Sequence, residues 1–412
     1  MAEPSGGVVL ERADPPASNW PKADFSPMAG PIRVETFVSP DCSYAALRDL
    51  ISAARDELRL YIYNVSAEHM LDLLRGARDR GVNVSIMYDR TDTRSREEER
   101  LAELDVDLHI APSSAPRRAF TVCHQKFLVL DRKTVVLGSA NWATTSVPKI
   151  DDPVNGKWKK GNREWLIALH SRKVAKRFLD LFELDRDWTP VEEMIGAELP
   201  ELAPSATSPF EEAAPANRMQ VEEFELDADA EVIPLFSPQN YFGEVLKLIR
   251  GAKKSILIEQ QYIKTAGDGT FVEELLDAVR ERHKADVEVR FLTSSAFPRH
   301  WFESAATLAG LGLKRRLRAV NPSTFTHCHN KGVIVDGKHA VISSTNWSDN
   351  SLGSAREAGV LISDRAVAGY YTRAFDIDWD EGLSPAEVDQ RLNREIVADP
   401  RTELEIHPAD LR

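Results

Sequence analysis

Two short stretches carry the residues best suited to chemistry: CHQKFLVLD at residues 123–131 and CHNKGVIVD at residues 328–336. Each sets a lysine two residues after a histidine and an aspartate five residues further on. Val122–Leu130 reads as a strand from its β-branched and apolar content, and a period of two then puts His124 and Lys126 on one face and Cys123 on the other. His329, Lys331 and Cys328 follow the same rule. Each cysteine is expected to pack behind the sheet as a small hydrophobe.

Two histidines and two lysines on facing strands suit a phosphodiester. A neutral imidazole attacks phosphorus to give a phosphohistidine, while a second, protonated imidazole donates to the leaving alcohol oxygen. Water or another alcohol then attacks the intermediate with the second imidazole as base. The lysines stabilise charge on the non-bridging oxygens, so neither metal nor cofactor is expected. Zinc is the competing reading of Cys-His, but adjacent strand residues cannot converge on one tetrahedral ion, and the nearby lysines repel a cation. A Cys123–Cys328 disulfide is set aside with it.

Further candidates follow each doublet. Ser139 and Asn141 come after the first, Ser344 and Asn346 after the second, at positions where neutral donors and small residues let the backbone approach a phosphate. Glu164 and Glu357 lie downstream, where a carboxylate on the remote nitrogen of an imidazole would orient it and raise its basicity.

These motifs resemble HxKx4Dx6GSxN, the signature of the phospholipase D superfamily, matched here twice, and the chain looks like the phospholipase D and cardiolipin synthase-like branch. The resemblance implies that His124 and His329 are the catalytic pair, with His124 the nucleophile and His329 the acid. It implies that Lys126, Lys331, Asn141 and Asn346 bind the phosphate, that Ser139 and Ser344 match the motif serines, and that Asp131 and Asp336 support the site structurally. Three departures stand out. Ser343 replaces the second motif glycine, which would narrow the phosphate loop. Glu357 follows His329 by 28 residues but Glu164 follows His124 by 40, so the first copy holds about twelve extra residues within SVPKIDDPVNGKWKKGNRE. Both aspartates are present, unlike in the tyrosyl-DNA phosphodiesterase branch.

The elements around the motifs are also duplicated. The segment from Val34 parallels the one from Val232, with Ser-Pro pairs at Ser39 and Ser237, 198 residues apart, and histidines 205 apart. In the first copy the spacing predicts a helix over Ala45–Leu58, a strand over Leu60–Val65, a helix over Ala67–Arg80 stopped by Gly81, and a strand over Val82–Tyr88. The second copy repeats the last two over Thr270–Arg282 and Val287–Thr293. The expected fold is α/β: two duplicated lobes, each a mixed β-sheet flanked by helices, packed as a pseudo-two-fold pair, with the sheets facing each other across a shared site. The expected divisions are a flexible segment 1–30, a first lobe 31–189, an acidic Pro/Ala/Glu-rich linker 190–230, a second lobe 231–380 and a tail 381–412 with a helix signal at SPAEVDQRLNREI.

Composition adds limits. With 412 residues the chain can bury two cores, and three cysteines fit a reducing compartment, so a cytoplasmic location is expected. The N-terminal residues show neither a signal peptide nor a spanning segment. The formal charge is -13, but the linker carries -10, the tail -4 and residues 1–30 another -2, which leaves the lobes at about +3. An anionic partner is therefore allowed. Lys157, Trp158, Lys159 and Lys160, together with Arg117, Arg118, Lys314, Arg315, Arg316 and Arg318, suit a lipid headgroup or a nucleic-acid strand. IEQQYIK at residues 258–264 resembles the IENQ-type strand of phospholipid-cleaving family members and favours phospholipid with peripheral membrane contact. A nuclease acting on DNA or RNA is the alternative, and a non-catalytic phosphate-binding scaffold the third reading. With both motifs in one chain, a monomer suffices for one active site.

Overall fold

A computed structural model describes residues 23–90, 95–114, 117–153, 158–189, 221–267 and 269–398. Most of the expected linker, the first 22 residues, Lys157 and the last 14 residues lie outside that description.

The first lobe runs β1 (Met28–Ser39), α1 (Ser43–Ala53), β2 (Glu57–Ile62), α2 (Glu68–Asp79), β3 (Asn83–Tyr88), α3 (Ser95–Ala102), β4 (Asp107–Ile110), β5 (Lys126–Leu130), β6 (Thr134–Gly138), β7 (Glu164–His170) and α4 (Arg172–Arg186). The second runs β8 (Phe224–Ser237), α5 (Tyr241–Gly251), β9 (Ser255–Gln260), β10 (Ile263–Lys264), α6 (Phe271–Lys284), β11 (Glu288–Thr293), α7 (Pro298–Gly310), β12 (Leu317–Ala319), β13 (Lys331–Val335), β14 (His339–Ser343), β15 (Trp347–Ser348), α8 (Asp349–Gly353), β16 (Glu357–Ser363) and α9 (Arg365–Glu381). A last helix, α10 (Pro385–Ala398), fulfils the signal seen in the tail, and Val388 and Leu392 join the second lobe's core. Strand β8 begins at Phe224, so the end of the segment expected as linker is sheet.

Both lobes use one strand order, β1-β7-β6-β5-β2-β3-β4 and β8-β16-β14-β13-β9-β11-β12. The expectation of two sheets facing each other is corrected here. Long first strands extend beyond their lobes and pair antiparallel, Met28 opposite Val232 through Thr36 opposite Phe224, so the lobes share one 14-stranded sheet. Pairing β1 with β8 removes the exposed edge that each lobe would otherwise present.

Strands β5, β6 and β13 are buried at every residue, as strands covered on both faces must be. On one face each lobe has its own core, centred on Leu47, Ile51, Leu60 and Ile86 in the first and on Val245, Ile249, Ile258 and Phe291 in the second. On the other face α4 and α9 cover the junction, where Trp165, Phe178, Phe182, Phe236, Tyr371 and Phe375 form a core common to both lobes. Ser171 caps α4 by accepting from Val174 N, and Asp364 caps α9 by accepting from Ala366 N and Val367 N. Among the described residues no helix is long and apolar enough to cross a membrane.

Helix α1 stops at Ala53 rather than continuing to Leu58, and a motif aspartate explains the stop. The Asp131 carboxylate accepts from the backbone N–H groups of Arg55, Asp56 and Glu57 at 2.8–3.2 Å, turning the chain out of the helix and into β2. Asp336 does the same for Lys253, Lys254 and Ser255. Both aspartates have positive φ, 49° and 58°, a conformation that aspartate tolerates better than most residues. These two acids brace α1 to β2 and α5 to β9 at the strand ends remote from Lys126 and Lys331.

Candidate active site

Lys126 opens β5 and Lys331 opens β13, and the histidines sit two residues earlier on extended segments. The strand expected from Val122 thus starts at Lys126. Residues 122–124 leave their own sheet because they pair with the other lobe: Arg356 N donates to Val122 O and His124 N to Arg356 O, each at 2.8 Å. The second copy matches, with Arg163 N donating to His327 O at 2.8 Å and His329 N to Arg163 O at 3.1 Å.

Carboxylates are exchanged across the same junction. His124 Nδ1 lies 3.0 Å from both oxygens of Glu357, and His329 Nδ1 lies 2.9 and 3.0 Å from those of Glu164. Each histidine is therefore oriented by the other lobe. Neither lobe alone supplies both a motif histidine and the carboxylate that orients it.

Ser139 Oγ donates to Glu164 Oε2 at 2.6 Å and Ser344 Oγ to Glu357 Oε2 at 2.5 Å, with both serines fully buried. These serines, expected at the phosphate, each place their hydroxyl on a glutamate that faces a motif histidine. Trp165 N and Ala358 N donate back to them at 3.2 and 3.1 Å. Lys126 Nζ donates to His124 O at 2.6 Å, and Lys331 Nζ donates to Gln261 Oε1 at 3.0 Å and to His329 O.

Both histidines and both motif asparagines, Asn141 and Asn346, line one cavity of about 660 Å³. Its wall mixes polar groups such as Asn64, Thr145, Asn162 and Gln261 with Tyr63, Val122, Tyr262 and Phe297. Tyr63 packs edge-on against His124, with ring centroids 4.6 Å apart, and Lys126 Nζ lies 5.1 Å from its centroid. Sequence reasoning missed Tyr63 and Phe297. Tyr63 had a signal, since it aligns with Gln261 in the duplicated strand and both follow a residue paired with a motif lysine.

Burial governs the electrostatics. It raises the Glu164 carboxyl to about 7 and that of Glu357 to about 8, against the pull of the two lysines. It lowers the Lys331 ammonium to about 8. His329 is held well below its usual value, first by burial and then by Lys331 and Lys126. The Cys123 and Cys328 thiols are fully buried and pushed well up, so they are protonated and unreactive.

Gly138 and Ser343 differ because their neighbours do. A Cβ on Gly138 would lie 2.3 Å from Trp165 O, whereas Ser343 has room because Gly359 stands opposite it, where the first lobe has Leu166. The serine's Oγ donates to Lys331 O at 3.2 Å. In the first-copy insertion, Ser146 and Asn162 line the cavity, while Trp158, Lys159 and Lys160 do not.

The family described as "Cardiolipin synthase, PLD-like domain" matches the chain twice, over residues 47–188 and 245–379. The chain belongs to this family. Curated proteins named "Phospholipase D" from Rickettsia bellii (strain RML369-C) and Rickettsia prowazekii (strain Madrid E) are 24% identical over 147 residues and 26% over 133. Those alignments cover 35% and 31% of this chain and 63% and 55% of the relatives, so the chain spans about three fifths of the length of the curated relatives it matches. The phosphatidylserine synthase of Haemophilus influenzae Rd KW20 shares the fold at 15% identity with TM-score 0.61, covering 91% of this chain and 96% of that one. The polyphosphate kinase of Porphyromonas gingivalis shares it at 13% identity with TM-score 0.52, covering 89% of this chain and 55% of that one. The two family matches fall one on each lobe, as a duplication requires.

Proposed function

We propose that the protein is a metal-independent phosphodiesterase or phosphatidyltransferase of phospholipase D type, acting on phospholipid headgroups. The observation that carries this reading is the pair of carboxylate-oriented imidazoles opening into one cavity, with a lysine behind each whose ammonium donates to that histidine's carbonyl. His124 attacks phosphorus while His329 protonates the leaving alcohol, and Lys126, Lys331, Asn141 and Asn346 hold the non-bridging oxygens. An anionic phosphate between Lys126 and Lys331 cancels the repulsion that the lysines add to burial at His329. Substrate binding thereby raises the proton affinity of the acid as it is needed. One chain holds both halves of the site, so a monomer suffices, and a cytoplasmic setting suits its buried free thiols.

The cavity wall and the fate of the surface cations support lipid over nucleic acid. Tyr63, Val122, Tyr262 and Phe297 offer apolar surface beside the phosphate position. Several cations that would have lined a polyanion groove serve the fold: Arg117 donates to the carbonyls of Asp185, Arg186 and Trp188, Arg318 to Trp379 O, and Lys160 to Pro322 O. Relatives named phospholipase D and phosphatidylserine synthase point the same way.

The test is one assay of phospholipid vesicles, single-stranded DNA, duplex DNA and RNA at several salt concentrations, with and without excess EDTA. Headgroup release in EDTA, abolished by His124→Ala, is expected. Cleavage of a polynucleotide that weakens steeply with salt would replace the lipid reading by the nuclease one. Loss in EDTA, restored by a divalent ion, would overturn the metal-free mechanism.

A further inference from the structure

An arginine precedes each of the two exchanged glutamates, and Arg163 and Arg356 are both almost wholly buried. Arg356 Nε and Nη2 form a fork on Asp185 of α4 at 2.9 and 2.6 Å. Arg163 Nη2 donates to Asp378 Oδ1 of α9 at 2.8 Å, and its Nε stands 2.7 Å from Asp378 Oδ2 as an ion pair. Each aspartate belongs to the lobe opposite its arginine, which is the lobe owning the histidine that the adjacent glutamate orients. The guanidinium of Arg356 lies 4.4 Å from the ring centroid of Phe120, and that of Arg163 lies 4.2 Å from that of Phe325. Each phenylalanine stands four residues before its histidine. The same partners thus recur in both copies, as a two-bond fork at Arg356 and as one hydrogen bond with an ion pair at Arg163.

Buried ion pairs are poor devices for stability, because desolvation offsets their attraction and apolar replacements of similar volume are often as stable. What a bidentate guanidinium–carboxylate fork supplies is direction. We infer that Arg356 and Arg163 are positioning residues: each fastens the strand end carrying its glutamate to a helix of the other lobe, α4 or α9, and so sets the angle at which that carboxylate meets His124 or His329. The inference rests on the proposed phosphodiester reading only for its kinetic readout.

The two clamps differ in charge, which decides where to test them. Around Arg356 the second partner is the amide of Gln239 at 3.3 Å, and the Tyr61 hydroxyl donates to Asp185 Oδ2 at 3.0 Å. At the equivalent places around Arg163 stand Asp41, 2.6 Å from Nη1, and Glu259, whose carboxyl is raised well above its usual value by burial and by Asp378. Removing Arg163 would strand several carboxylates. Removing Arg356 together with Asp185 leaves no unpaired charge.

The experiment compares wild type with Arg356→Met/Asp185→Leu and with Arg356→Lys, by turnover of an aryl phosphodiester and by proton NMR of the two imidazole Nδ1–H signals. In the double variant kcat should fall roughly 10- to 100-fold with KM nearly unchanged, as for a group displaced by about 1 Å. Its His124 signal should shift while the His329 signal stays. General loosening of the fold would move both signals, and a purely structural ion pair would leave kcat and both signals as they were; either result overturns the inference. Arg356→Lys keeps the charge but loses the fork, and decides by the same criteria if the double variant does not fold. If wild type turns over no phosphodiester while the His124 signal still moves selectively, the functional reading fails and the positioning role stands.

Discussion

Gly332→Ala is a small change with a large expected effect. A Cβ at residue 332 would lie 2.3 Å from Cζ3 and 2.4 Å from Cε3 of Trp165, in the other lobe. Carbon atoms in contact sit about 3.5–4.0 Å apart, so the indole must retreat by roughly an ångström or more. It has little room to do so, being fully buried and stacked on Tyr371 with ring centroids 4.9 Å apart. Tyr371 is in turn tied to the sheet, its hydroxyl donating to Leu166 O at 2.6 Å. Overpacking of this kind costs about 1–3 kcal/mol.

Displacement also has a path to the chemistry. Trp165 N donates to Ser139 Oγ, Ser139 fixes Glu164, and Glu164 orients His329. An ångström of error at a reacting group costs about 100-fold in rate, so kcat should fall roughly 10- to 100-fold alongside a loss of several degrees in Tm. Calorimetry and steady-state turnover on the same preparations check both. Adding Trp165→Leu should restore part of the stability lost by Gly332→Ala, giving a favourable coupling between the two sites. A Gly332→Ala protein that melts and turns over like wild type would refute the argument.

Two further outcomes follow from the site. Ionisation of Glu164 near 7 and Glu357 near 8 strengthens the hold on the imidazoles, while loss of the Lys331 proton near 8 weakens phosphate binding, so kcat/KM should be bell-shaped with a narrow maximum between about 7 and 8; a flat profile from pH 6 to 9 would contradict it. Cys123→Ala and Cys328→Ala should keep turnover within a few-fold of wild type, and both native thiols should react slowly with a thiol reagent, since burial holds them protonated; rapid labelling, or loss of turnover in the folded variants, would show that the thiols serve the chemistry.

The half-sites were legible in the sequence because their spacing is local. A strand's period of two is enough to send His124 toward a cavity and Cys123 into the packing, and that division holds even though the strand starts only at Lys126. Asp131 was legible as a support, but its means, capture of three backbone N–H groups after α1, depends on a contact 75 residues away. The exchange of Glu164 and Glu357 was not legible, because spacings of 40 and 28 residues from the histidine of the same copy say nothing about which lobe the carboxylate enters.

Comparison of the copies with each other shows what such a duplication conceals. Where the first lobe pairs Gly138 with Leu166, the second pairs Ser343 with Gly359, so bulk has moved from one strand to its neighbour. Phe127 and Gly332 are likewise equivalent positions, as are Ala358 and Trp165, and the space that Gly332 leaves open is filled by Trp165. Each difference looks like drift when read along one copy. The first becomes compensation only in the pairing of β6 with β7 and of β14 with β16 inside each lobe, and the second only where Gly332 meets Trp165 across the junction that β1 and β8 form, a contact across roughly two hundred residues that no local pattern encodes. The same holds for the arginines: Arg163-Glu164 and Arg356-Glu357 are visible as a repeated dipeptide, but their meaning lies in Asp378 and Asp185 on helices of the opposite lobe. A fused duplication therefore displays its chemistry in each copy and hides its assembly between them, and substitutions at the crossing points test that assembly as substitutions in the motifs test the chemistry.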